Sequence, residues 1–255
     1  MSKDDLTKIF VEEDMFPREI SQYEVREYGF LFYNADEKDS FDSNHALIYK
    51  EKIHDIDYVL NDIKDFYLGK GIVPSIYQSI NDEGYFLLIG EKLEEHGFKH
   101  WTELQNFMVL SEDNRIEPNH QMIVRKITKW KDEYGVEIFQ KAEEPWEIAP
   151  MKRALNNSNT LFFVAFIDEK PVGMMHGHVT DGICRVDYLL VSKEYRKMGV
   201  GKTITHFLVG YCKENGIKSC FLWPDDQYAE KIYYEAGFRT VSLKKAGRAF
   251  LDPKE

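Results

Sequence analysis

The chain has 255 residues, of which 43% are hydrophobic and 30% charged, a balance ordinary for a globular protein of one large domain or two small ones. No run of 18 apolar residues occurs, so no membrane span is expected. The net charge of −11 is uneven: residues 1–120 carry 12 basic and 26 acidic groups and residues 121–255 carry 21 and 18, which speaks against nucleic acid as a partner and fits attraction of a cationic ligand to the first half.

Residues 1–45 are polar and aromatic with weak periodicity, apart from Tyr28-Gly-Phe-Leu-Phe-Tyr33, whose aromatics predict a strand. A second short strand is predicted at Ala46–Tyr49. Apolar residues at 53, 56, 59, 60, 63, 66 and 67 form a helical stripe, ended by Gly69-Lys-Gly71. Ile72–Ile80 reads as a strand that Pro74 confines to an edge or a bend. Tyr85–Glu95 reads as a helix closed by His96-Gly97-Phe98, and Thr102–Leu110 as a strand.

Ser111–His120 is polar, with one proline and one isoleucine, and is the best linker. It divides the chain into expected domains 1–120 and 121–255. After it come a strand (Met122–Ile127), two helical stretches (Lys129–Lys141 and Pro145–Leu155) and a strongly apolar strand (Leu161–Ile167). Two more strands, Val172–Val179 and Ile183–Val191, join through Thr180-Asp-Gly182. A helix over Gly201–Glu214, a strand over Ser219–Trp223, a helix over Gln227–Glu235 and a strand over Phe238–Leu243 complete the pattern.

Between Val191 and Gly201 a strand passes through a short basic loop with two glycines into a helix start. The first N–H groups of a helix lack intrahelical partners and sit at the positive end of its dipole, so this layout suits a phosphate or pyrophosphate. A P-loop is excluded because its first glycine position holds Arg196. The dinucleotide fingerprint fails because its third glycine position holds Ile204. What remains is Arg196-x-x-Gly199-x-Gly201, which resembles the acetyl-CoA loop of the GNAT N-acetyltransferases. Ala229-x-x-Ile232-Tyr233-x-x-x-Gly237-Phe238 resembles the fourth-helix signature of the same family. The element order β-α-α-β-β-β-loop-α-β-α-β over about residues 121–250 resembles its fold.

The resemblance implies an α/β class, a mixed, mostly antiparallel twisted sheet flanked by helices. It implies an acetyl-CoA-dependent N-acetyltransferase, with an amine of a small molecule or peptide attacking the bound acetyl donor directly. Leu189, Leu190 and Val191 would run along the pantetheine, with an N–H near Val191 polarising the thioester carbonyl. N–H groups of Lys197, Met198, Gly199, Val200, Gly201 and Lys202 would hold the pyrophosphate, and Arg196 matches the family's Arg/Gln position. Tyr233 is the expected general acid for the leaving thiolate. Asp187, four residues before Val191, is the expected base, on a strand face shared with 189 and 191; a water chain is the alternative. Asp226 departs from the family's asparagine and is expected to cap a helix.

His176 and His178 share a strand face and could relay protons; as a pair at i, i+2 without a third ligand they do not make a metal site, and none is expected. Cys184, Cys212 and Cys220 have no Cys-x-x-Cys spacing, and the polar start Met1–Lys8 lacks a signal-peptide apolar region. Both features favour reduced, packed thiols in a cytoplasmic protein, monomeric or homodimeric.

Leu93-Glu-Glu-His-Gly97-Phe98 echoes Tyr233-Tyr-Glu-Ala-Gly237-Phe238, each preceded by helix, glycine, strand and helix. The first half thus resembles a degenerate GNAT-like domain in tandem with the second. It lacks the Arg-x-x-Gly-x-Gly loop, so acetyl-CoA is expected to bind once. The acceptor remains open, with a cationic small molecule favoured by the acidic first half. The other readings are a non-catalytic acetyl-CoA-binding sensor and transfer of a longer acyl chain.

Overall fold

A computed structural model describes residues 3–252, which divide into two compact units. Of the described residues, unit 1 comprises 3–105 and 243–252, and unit 2 comprises 106–242. The division expected at 120 therefore falls earlier, and the end of the chain returns to the first unit. A composition break marked the polar segment 111–120, but strand pairing decides the division.

Unit 1 opens with helix α1 (Lys3–Met15), which buries Ile9, Phe10 and Asp14. The weak periodicity of this segment hid it. Strands β1 (Gln22–Arg26), β2 (Gly29–Tyr33) and β3 (His45–Ile48) follow as antiparallel neighbours. β1 was missed because its residues are exposed or half-buried and do not alternate with a buried set. Helix α2 (Ile56–Gly69) is started by Asp55, whose carboxylate accepts from Tyr58 N–H at 3.1 Å. Its stripe Val59, Leu60, Ile63 and Tyr67 is buried as the 3–4 spacing requires. α2 crosses over to β4 (Ser75–Gln78), which pairs parallel to β3. The helix expected over Tyr85–Glu95 is two short ones, α3 (Tyr85–Leu88) and α4 (Gly90–Glu95).

Strand β5 (Phe98–Leu110) starts in unit 1 and ends in unit 2. Unit 2 continues with β6 (Ile123–Lys126) and α5 (Asp132–Tyr134), which runs on into a π-helical stretch, Gly135–Gln140. Helix α6 (Ile148–Ala154) is entered through a 3-10 turn at Pro145–Glu147. Strands β7 (Thr160–Ile167), β8 (Lys170–Thr180) and β9 (Ile183–Val191) form an antiparallel meander with β6 on its outer side. Helix α7 (Val200–Glu214) crosses over to β10 (Ser219–Leu222), parallel to β9. Helix α8 (Gln227–Glu235) and strand β11 (Phe238–Leu251) end the chain.

Each unit therefore holds a mixed sheet with one parallel pair bridged by a helix, β3-α2-β4 in unit 1 and β9-α7-β10 in unit 2. The strand that completes each is the distant one. In unit 1, β4 pairs antiparallel with residues 248–250 of β11. In unit 2, β10 pairs antiparallel with Met108 and Val109 of β5. β11 is also longer than its apolar start predicts, because its second half serves a different unit from its first.

The core of unit 2 lies on both faces of its sheet. On one face α7 places Val200, Ile204, Leu208 and Cys212 at four-residue intervals against Phe163, Val172, Met175 and Val186. Each such side chain taken fully from water contributes roughly 1.5–3 kcal/mol. On the other face Tyr134, Ile138, Phe139 and Met151 pack on Phe162, Val164, Met174 and Leu190.

Candidate active site

The site is built on β9, and the central feature of β9 is a bulge. Across the β8–β9 ladder His176 faces Tyr188 and Gly177 faces Val186, so Asp187 has no partner opposite it. A Cβ on Gly177 would lie 2.6 Å from the Arg185 carbonyl oxygen, so glycine is the residue that lets the ladder close here. The extra residue resets the alternation of side chains. Val186, Leu189 and Val191 pack with the α7-side cluster, whereas Tyr188 and Leu190 pack on the opposite one. Asp187 bonds Arg185, its i−2 neighbour. The expectation that 187, 189 and 191 share one face is thus overturned: alternation holds on either side of the bulge but not through it.

The second feature is an open edge. β10 pairs with β9 only from Ile183 to Arg185. From Val186 to Val191 that edge of β9 has no ladder partner among the described residues. Backbone N–H and C=O groups there are available to an extended ligand.

The chain then enters the loop. Ser192 is fully buried; its N–H donates to Val172 O at 3.0 Å and its hydroxyl to Glu137 O at 2.6 Å, within the π-helical stretch. This anchors the exit from β9. Arg196 folds back, its Nε donating to Val191 O at 3.2 Å. Lys197 and Gly199 both take positive φ, +66° and +83°. No side chain caps α7. Thr203 N–H is the first to bond back, to Gly199 O at 2.9 Å, so the preceding N–H groups of the first turn point free of the helix ladder.

The two glycines do different work. A Cβ on Gly199 would meet nothing within 4 Å, whereas one on Gly201 would touch Leu189 and Ile232 side chains at 3.5 Å. Gly199 serves the left-handed turn, and Gly201 sits against Leu189 and Ile232 at a distance that a Cβ could share. Lys202 forms an ion pair with Glu235, so its side-chain charge is matched by a carboxylate. Met198 is half exposed, and Val200 is buried.

Asp187 is tied on both sides. Arg185 Nη1 lies 2.5 Å from one carboxylate oxygen, and His176 Nδ1 lies 3.1 Å from the other. Burial alone would raise its pKa, but the Arg185 charge and the His176 hydrogen bond outweigh that and hold it well below the usual carboxylate range. His176 is 2% exposed, and its Nε2 is buried without a hydrogen-bond partner among the described residues. Asp187 keeps 21% of its side chain exposed.

Beside it, Tyr188 donates to Glu144 Oε2 at 3.1 Å. Burial, then the charges of Glu147, Glu144 and Asp225, raise the Tyr188 pKa. Three carboxylates, of which Glu144 is in hydrogen-bond contact, therefore act on Tyr188. Trp146, in the same 3-10 turn as Glu147, is 64% exposed.

Tyr233 and Tyr234 are separated by environment. Tyr233 is 6% exposed and packs edge-on against Phe238, centroids 5.8 Å apart. Burial first, then Asp225 and Asp226, push its pKa up, so the phenol stays protonated. Tyr234 is half exposed under Arg239, whose guanidinium lies 3.8 Å from the ring centroid. Asp226 caps α8, accepting from Ala229 N–H at 2.7 Å.

A sequence model described as "Acetyltransferase (GNAT) family" matches residues 126–238. A protein of Bacillus subtilis (strain 168), whose name gives acetyltransferase as a provisional assignment, is 30% identical over 129 residues, covering 48% of this chain and 86% of that one. The chain belongs to the GNAT acetyltransferase family. Two solved structures share its fold over nearly the whole length. A GCN5-related N-acetyltransferase from Kribbella flavida has a TM-score of 0.67 at 16% identity, covering 97% of this chain and 95% of that one. A functionally unknown conserved protein from Staphylococcus epidermidis has a TM-score of 0.65 at 15% identity, covering 91% and 94%.

Within this GNAT chain the structure brings the expected residues together only in part. Leu189, Leu190 and Val191 line the freed stretch of β9, and Arg196 through Lys202 follow it directly. Arg185 and His176 were not expected as partners of Asp187. The first was legible, because residues two apart on a strand share a face. Glu144 and Glu147 were not, because nothing local ties a helix-loop carboxylate to a strand 40 residues away.

Proposed function

We propose that unit 2 transfers an acetyl group from acetyl-CoA to an amine by direct attack. The observation that carries this reading is the juxtaposition of the unpaired edge of β9 with the uncapped start of α7. An extended amide-bearing arm fits the first, and a pyrophosphate fits the second. The missing Cβ atom at Gly199 and the free first-turn N–H groups meet the requirements of that phosphate, so the residues present fit acetyl-CoA.

In this reading Leu189, Leu190 and Val191 offer backbone groups to the pantetheine. The N–H groups from Lys197 to Lys202 take the pyrophosphate, with Arg196 bridging strand end and loop. Acetyl-CoA supplies an activated thioester carbonyl. A backbone N–H near Val191 stabilises charge on that carbonyl oxygen. Tyr233 donates a proton to the departing thiolate.

Asp187 takes a different part from the base first expected. A carboxylate locked between Arg185 and His176 has low proton affinity. It suits an anion that receives the acceptor's ammonium group, while water carries the proton away. With Glu144, Glu147 and Asp225 nearby, this favours a cationic small-molecule acceptor.

Unit 1 repeats the β-β-α-β order of unit 2 without the Arg-x-x-Gly-x-Gly loop. We read it as a degenerate copy whose CoA site has been lost. The test is release of free thiol from acetyl-CoA with a panel of mono- and polyamines. Turnover with any amine supports the reading. Tight acetyl-CoA binding with no turnover would instead make the chain a sensor.

A further inference from the structure

Cys184, Cys212 and Cys220 come from β9, α7 and β10, and their sulfur atoms all lie within 4.8 Å of one another. All three are buried free thiols. Cys184 and Cys220 are direct partners on the parallel ladder, next to its last rung before β9 runs on alone. Cys212 reaches them from the far turns of α7. Val186, Leu208, Val209 and Leu222 belong to the same apolar cluster.

We propose that these three thiols form a binding site for a thiophilic trivalent ion of the arsenite class. The first argument is geometric. With bonds from ion to sulfur of about 2.3 Å and the pyramidal angles of about 95–100° that the lone pair of arsenic(III) imposes, three sulfurs around one centre sit about 3.5 Å apart. The sulfurs, within 4.8 Å of one another, need a contraction of at most about 1.3 Å, within reach of side-chain rotations. The donors are all soft, and among the described residues no histidine or carboxylate side chain joins them in the cluster, which selects thiophilic ions.

The second argument is charge. Arsenous acid and three thiols react with exchange of ligands only: three As–O bonds break, three As–S bonds form, and each thiol proton leaves with a hydroxyl as water. No electrons are transferred, and the product is neutral. A neutral adduct suits an apolar surrounding. Zinc on three thiolates would leave a net negative charge buried there, at a large desolvation cost. It would also lack its fourth ligand, since among the described residues the cluster contains only these three.

The site needs no acetyl-CoA and stands independently of the acetyl-transfer reading. Full-length, reduced protein is incubated with arsenite, desalted and examined by native mass spectrometry, with its unfolding transition followed in parallel. One arsenic per chain is expected, with a Tm rise of about 5 °C or more at roughly a hundredfold excess over Kd. Cys212→Ala, checked for folding by its own transition, is expected to weaken retention at least about tenfold.

Absence of retained arsenic would overturn the proposal. So would a Tm that falls, because the thiols of the unfolded chain would then be the better ligands. Retention unchanged in the Cys212→Ala variant, or an equal Tm rise with zinc, would overturn the three-sulfur site. Should Cys212→Ala fail to fold, the direction of the wild-type Tm shift decides.

Discussion

Asp187 accepts from His176 Nδ1 at 3.1 Å while its other oxygen holds Arg185 at 2.5 Å. One carboxylate thus neutralises a buried guanidinium and fixes the imidazole that faces the bulge. Replacing it by asparagine removes the Asp187 charge from beside Arg185, which is 6% exposed. Asp187→Asn is expected to cost about 3 kcal/mol at pH 7. The sign of the pH dependence follows from the lowered pKa. The stabilisation is complete above the unfolded carboxylate's value of 3.8 and is lost as pH falls through the lower folded value. Urea unfolding of wild type and variant should therefore differ at pH 7 and converge in strong acid. A difference that stays constant down to acid would show that the ion pair is not its source.

If Asp187 receives the acceptor's ammonium group, Asp187→Asn should raise KM for the amine at least about tenfold with a smaller fall in kcat. The pH profile of kcat should then be unchanged in shape, since this carboxylate does not titrate near neutrality. Loss of an acidic limb from the kcat profile of the variant would restore Asp187 to the role of base.

Tyr233→Phe keeps the ring against Phe238 and removes only the phenol. A fall in kcat of about a hundredfold is expected, with acetyl-CoA affinity and stability nearly unchanged. Tyr234→Phe, at the exposed ring under Arg239, is expected to leave kcat at the wild-type level. Equal effects of the two substitutions would remove Tyr233 from the chemistry.

Much of unit 2 was legible because its signals are local. The apolar run into Val191, the glycines at 199 and 201, and the Gly237-Phe238 ending each reflect a conformational demand within a few residues. The bulge at Asp187 was not, since it arises from the mismatch between β8 and β9 and from the empty space at Gly177. The reach of β11 to Leu251 was hidden for the same reason. Lys244, Lys245 and Gly247 weaken the strand pattern, and the pairing that holds the strand beyond them, of Arg248, Ala249 and Phe250 to Tyr77, Ile76 and Ser75, lies some 170 residues away in sequence. Tyr233 and Tyr234 differ in burial because a helix places adjacent residues about 100° apart and only one can face the core.

The two glycines of the loop give a paired test. Gly199 sits at φ +83° with open space around its missing Cβ, so Gly199→Ala is expected to cost roughly 1–2 kcal/mol through backbone strain alone. Its acetyl-CoA affinity should fall with the distorted turn. Gly201→Ala meets Leu189 and Ile232 at ordinary contact distance and should be tolerated within about 0.5 kcal/mol. Calorimetric titration with acetyl-CoA and urea unfolding of both variants check this. Equal affinity losses with equal stability would place both glycines against the ligand.

Asp14 on α1 accepts from Ser79 Oγ at 2.6 Å and from Ile80 N–H at 2.9 Å. Burial raises its pKa to about 7 against the lowering effect of those two bonds. A raised carboxylate gives stability that is fully present below the unfolded value of 3.8 and is lost as pH rises through the folded value near 7. The docking of α1 should accordingly weaken from mildly acid to alkaline pH. Asparagine can accept from Ile80 with its oxygen and donate to Ser79 with its nitrogen, without a charge to bury. Asp14→Asn is thus expected to stabilise the protein by about 2 kcal/mol at pH 8 and to change little at pH 4. Hydrogen exchange of the α1 amides at the two pH values measures it. Protection of α1 in the variant that is lower than wild type at pH 8 would mean that Asp14 is held as a charged partner, and that burial does not govern its titration.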